Sequence, residues 1–320
     1  MSPRHRADEP EFRSYYGRPV IKAPVWKWDI PAYLFTGGLS AGASMLAAGA
    51  DATGRPAMRR SMRWTALGGI GVSTFFLIHD LGRPDRFVNM LRVARPTSPM
   101  SMGTWILATF GPAVGAAAAG ELAGALPRRG PLGLVRRVLP GVGRAGGWSA
   151  AVVAPHLATY TAVLLADTAV PAWHESHKVL PFVFAGSGLA AASGAALVTV
   201  PLSESAPARR AAVAGAALDL AATHAVEHRL GLQSEAYQLP KPARLLKAAR
   251  VLTAAGAAGA VLSRRSRVLS AVSGLALVAG SACTRFGIYH GGVESAKDPR
   301  YTVVPQRERL DARRAAAAEK

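Results

Sequence analysis

Long apolar runs alternate along the chain with short, polar, arginine-rich connectors. The runs fall at about 31–50, 64–81, 103–122, 148–166, 179–200, 210–225, 246–262 and 268–289. A membrane span needs about 20 successive apolar residues. The pattern therefore predicts an all-α integral membrane protein of about eight transmembrane helices, arranged as two four-helix bundles. Trp26 and Trp28 precede the first run, where tryptophans serve as interfacial anchors. Small residues recur four apart at Gly38/Gly42, Gly111/Gly115 and Gly120/Gly124, a spacing that lets two helix backbones approach closely in lipid. The expected organisation is an extramembrane segment over 1–30, the bundle over 31–290 and a polar, frayed tail over 291–320. The Gly/Arg/Pro stretch 127–147 is expected to be a basic connector, mobile or hinge-like, between the two halves.

Composition supports the bilayer. Half of the 320 residues are hydrophobic and 18% are charged, where a soluble domain carries about a quarter charged. The net charge of +19 raises nucleic acid as a partner. However, the arginines sit in short connectors such as 55–63 and 128–137, where membrane topology places them. No recognition helix stands apart from the spans. With the N-terminus outside, the inside connectors carry the excess of Lys and Arg, which predicts a cell-membrane protein with both termini outside. Residues 1–20 are charged without an apolar core, unlike a cleavable signal peptide. The single cysteine, Cys283, excludes an internal disulfide and a four-cysteine iron–sulfur site.

Ionisable groups at membrane depth are costly and are functional candidates by default. His79 and Asp80 end the second run, where Gly82 can cap the helix and Asp80 can pair with Arg83. His156 and Tyr160 lie four apart on one helical face, with Asp167 closing the same run. A His, a Tyr and an Asp near one interface can hydrogen-bond the two oxygens of a quinone and relay its protons. Asp219, His224 and Glu227 form a second candidate relay within the sixth run. Haem is disfavoured: His79 and His290 lie at run ends, and no pair within one helix is spaced to stack two haems. No metal site is expected.

The stretch DLGRPDRFVNMLRVARPTSPMSMGTW, residues 80–105, resembles the NrfD/polysulfide reductase membrane-subunit family. WDIPAYLFTGGLSAG at 28–42 is similar to that family's first helix. YTAVLLADTAVPAW at 160–173 and the segment from Arg285 through DPRYTVVPQR at 298–307 are similar to its central and C-terminal segments. The resemblance implies an eight- to ten-helix subunit of a respiratory oxidoreductase. That subunit anchors a ferredoxin-like iron–sulfur protein, and through it a molybdopterin catalytic subunit. It exchanges electrons with menaquinone or ubiquinone and holds no redox metal. The resemblance places the quinone near Trp28, Asp29 and Tyr160, and makes Asp80, Arg83, Arg86 and Arg95 a motif loop for partner docking.

Two functions of different classes follow. One is a quinone-reactive electron-transfer subunit. The other is a proton or ion translocator working through Asp219, His224 and Glu227.

Overall fold

The computed structural model describes residues 20–318, apart from the side chains of Pro84 and Arg86. Residues 1–19, most of the expected N-terminal extramembrane segment, lie outside that range. The elements in order are α1 (Asp29–Ala52), α2 (Pro56–Asp80), α3 (Pro99–Gly120), α4 (Pro131–Ala166), α5 (Pro171–Glu175), α6 (Leu180–Thr199), α7 (Ala206–His228), α8 (Glu235–Gln238), α9 (Pro240–Leu262), α10 (Arg267–Lys297) and α11 (Arg300–Ala318). A 3-10 helix, Pro84–Arg92, joins α2 to α3. There is no strand among the described residues. Proline opens α2, α3, α4, α5, α6, α7 and α9 within the first two positions. The missing N–H costs nothing there, and the fixed φ suits the first turn.

The long helices pair as antiparallel hairpins: α1/α2, α3/α4, α6/α7 and α9/α10. The first two hairpins form one group and the last two another, with α1 and α4 packed on α6 across the seam. Gly38 and Gly42 lie at that seam. A Cβ on Gly42 would stand 2.7 Å from the Gly188 carbonyl oxygen, so the α1 and α6 backbones touch. By length and apolarity, α3, α4, α6, α9 and α10 qualify to cross a membrane. The sequence of α1 is rich in Gly and Ser, and most of its length is buried against other helices rather than lipid. Arg59, Arg60 and Arg63 lower the apolarity of α2, and Arg209, Arg210, Asp219 and Glu227 that of α7.

Four expectations are corrected. The stretch 127–147 is helical from Pro131, as the first part of the 36-residue α4, and it separates α3 from α4 rather than the two halves. Its glycines are packing surface: a Cβ on Gly143 would meet the Gly120 Cα at 2.6 Å, and one on Gly146 would meet the Ala113 carbonyl at 2.7 Å. Gly111 and Gly115 have open space around them, so that pair packs nothing. The tail is ordered as the end of α10 and the exposed helix α11, which an Arg309–Glu175 ion pair ties to α5. Finally, Arg59 and Arg63 are more than topological charges. Both hold Glu121 at 2.8 Å, with Arg63 and Glu121 buried, and Asp51 takes Arg59 and Arg144 at 3.3 Å.

Candidate functional site

The hairpins place the N-terminus of α1, the C-terminus of α2, the N-terminus of α3 and the C-terminus of α4 at one end of the first group. The motif stretch covers this end, and its polar residues fold it locally. Ser98 caps α3 by accepting from the Ser101 amide. Ser101 Oγ and Trp105 Nε1 both donate to the Val93 carbonyl, at 2.9 and 3.4 Å, and Ser101 Oγ accepts from the Arg95 amide at 2.9 Å. Gly82, with φ of 65°, supplies the left-handed turn that ends α2.

Beneath this cover lies a mainly apolar cavity of about 100 Å³. Its walls include Trp26, Tyr33, Met90, Met100, Leu107 and Leu164, and its polar residues Asp80, Thr104 and Tyr160. Tyr160 is 8% exposed, and its hydroxyl has no hydrogen-bond partner. A buried, unpaired hydroxyl costs about 1–3 kcal/mol, so one on a residue lining a cavity marks a position where an acceptor or donor would be stabilised. Gly103 makes room for it: a Cβ there would fall 2.2 Å from the Tyr160 ring. The wall is braced from behind. Trp26 stacks on Trp173 with centroids 5.9 Å apart, Trp173 Nε1 donates to the Ile288 carbonyl at 2.9 Å, and the Tyr289 hydroxyl donates to the Trp26 carbonyl.

Asp29 lies beside this cavity in the first turn of α1, 1% exposed, with His79 Nδ1 3.1 Å from its carboxylate. The His79 side chain is 60% exposed, so the pair links a buried carboxylate to the surface. Trp28 packs edge-on against Phe76 at 5.2 Å and is largely exposed. It is not among the cavity walls.

The structure thus brings Asp29, Asp80 and Tyr160 to one end and leaves other candidates apart. His156 is exposed on α4 although it lies one turn from Tyr160. Asp167 is exposed at the end of the same helix. Both lie outside the cavity lining. Arg83 and Arg95 are exposed on the covering loop, whereas the Arg86 side chain lies outside the described residues. Trp26, Gly103 and His79 belong to the site in ways the residue pattern did not assign. An aromatic before a span reads as an anchor and a glycine as packing, while His79, a candidate at the end of the second run, had no partner assigned.

The second candidate relay is not continuous. Asp219 is 2% exposed and accepts from Thr223 and Thr284, each at 3.3 Å. His224 faces outward and stacks on His228 at 4.3 Å. Glu227 is held by Arg250 at 2.7 Å. Among the described residues no group of three His, Cys, Asp or Glu stands together as a metal site.

Residues 20–214 match the family model described as Polysulphide reductase, NrfD. No curated protein matches the chain.

Proposed function

The chain belongs to the NrfD family of multi-pass membrane proteins, and from that premise we propose that it is the quinone-exchanging, electron-transfer subunit of a respiratory oxidoreductase complex. The observation that carries the proposal is that Tyr160, whose buried hydroxyl has no partner, lines an apolar cavity where four helix ends meet. A quinone or quinol, when bound, supplies two-electron, two-proton chemistry. The chain's residues bind its ring and handle its protons. Trp26, Leu107 and Leu164 offer apolar surface to a planar ring. The Tyr160 hydroxyl hydrogen-bonds one ring oxygen, which gives the orphaned group its partner. Asp80 at the cavity and the Asp29–His79 pair beside it take or give protons toward the exposed imidazole.

The cavity is below the roughly 300–1,000 Å³ of typical small-molecule pockets. Entry of a head group therefore displaces lining side chains, Met90 and Met100 first among them. Their unbranched thioether side chains adapt readily to a new neighbour.

The iron–sulfur partner, with a molybdopterin subunit behind it, docks on this same end. There the 20–28 segment, the 81–98 loop, α5 and α11 form an extramembrane face carrying exposed Arg83 and Arg95. That face lies on the outer side of the cell membrane. A photoreactive quinone analogue tests the assignment. Labelling is expected in peptides covering 26–34, 77–107 or 160–165, and excess quinone should compete it away. Labelling confined elsewhere defeats the proposal.

A further inference from the structure

At the opposite end of the bundle, α7 and α9 leave an open groove of about 560 Å³. Arg209, Arg210 and Arg264 rim it, and Ala206, Val213 and Val261 wall it. At this end Arg59, Arg63 and Arg144 share the carboxylates of Glu121 and Asp51, whereas the three groove arginines lie together with none among the described residues. Among the described residues, no carboxylate lies within 4 Å of Arg209, Arg210 or Arg264. The only side-chain bond that any of the three makes there is from Arg209 Nη1 to Ser205 Oγ, at 2.6 Å. Three guanidinium groups around one concavity repel one another unless an anion lies between them. Val213 and Val261, 40% and 50% exposed, continue the groove along the apolar flank of the same two helices. Charge above and exposed aliphatic surface below is the arrangement that accepts a lipid head group and the start of its chain.

We propose that this groove binds an anionic phospholipid, its phosphate held by Arg209, Arg210 and Arg264 and an acyl chain laid along Val213 and Val261. Guanidinium forks match phosphate oxygens in bidentate pairs, and a lipid supplies the negative charge the rim lacks. Inorganic phosphate offers the same oxygens without the chain, and phosphatidylcholine offers the chain without net charge.

Native mass spectrometry of the full chain, purified in detergent with its associated subunits, distinguishes these sources. One phosphatidylglycerol should be retained in preference to phosphatidylcholine, and inorganic phosphate should not displace it. The triple variant Arg209→Gln, Arg210→Gln, Arg264→Gln should weaken retention about a hundredfold, each arginine contributing about fivefold. Arg264→Gln alone lies on an exposed turn and should show that fivefold loss without disturbing the fold. Arg128→Gln, Arg129→Gln, Arg137→Gln removes the same charge from exposed positions outside the groove and should leave retention unchanged. Equal loss in that control, equal retention of phosphatidylcholine, or displacement by phosphate would each overturn the proposal.

Discussion

His79 Nδ1 lies 3.1 Å from the Asp29 carboxylate, joining the last turn of α2 to the first turn of α1. One partner is almost wholly buried and the other largely exposed, so the pair is a short path between the interior and solvent. Positioned acid–base groups contribute roughly 10²–10⁴-fold to proton-transfer steps. Asp29→Asn keeps the side-chain shape and removes the proton acceptor. It should lower quinone-coupled turnover by about a hundredfold while the subunits still co-purify. His79→Ala should lower it less, because water can replace an exposed imidazole. Full turnover in Asp29→Asn would remove the pair from the proton path.

Tyr160 carries a hydroxyl with no partner, so the protein without its quinone bears the cost of burying it. Tyr160→Phe should therefore leave the melting temperature unchanged or raise it, while KM for quinol rises about tenfold, the value of roughly one hydrogen bond. Gly103→Ala should give a similar KM change by another route, since its Cβ would collide with the Tyr160 ring. A purely structural tyrosine would instead show a lowered melting temperature with KM unchanged.

The α3–α4 contact depends on glycine at specific positions. Gly143→Ala places a methyl 2.6 Å from the Gly120 Cα, and backbone cannot yield as a side-chain tip can. Overpacking of this kind costs about 1–3 kcal/mol, which thermal unfolding in detergent should reveal. Gly111→Ala and Gly115→Ala meet nothing within 4 Å and should be neutral or stabilising, since Ala is the better helix former.

The same glycines explain what the sequence could and could not disclose. Apolar runs located the long helices, because lipid imposes a strong and local signal. Stretch 131–147 was hidden because Gly143, Gly146 and Gly147 read as breakers in water but serve as contact surface in a packed bundle. In the site, Tyr160 was legible as a polar group on an apolar run, whereas Asp29 was reached only through the family resemblance. His156 shares a face pattern with Tyr160 yet lies exposed, since a four-residue step alone does not fix which side of a broad face meets a neighbour. The role of Gly103 depends on a ring 57 positions away and leaves no local signal.

The interior charges of the second half are the last test, because they separate a proton relay from a structural cluster. Arg285 is wholly buried. Its Nε donates to Ser187 Oγ at 3.0 Å, another nitrogen donates to the Phe184 carbonyl at 2.6 Å, and the guanidinium lies 3.8 Å from the Phe184 ring centroid. Asp219 takes its bonds from two threonines, one of them Thr284 beside Arg285. Removing one member of a buried charged cluster leaves the rest uncompensated, at a cost of about 3–5 kcal/mol. Arg285→Met should therefore destabilise strongly, and adding Asp219→Asn should recover part of the loss. His224, exposed and stacked on His228, takes no part in that cluster. His224→Ala should leave turnover and proton release per electron unchanged. A fall in proton release with electron transfer intact would restore translocation through α7 and show that the static separation of Asp219 from His224 is bridged during turnover.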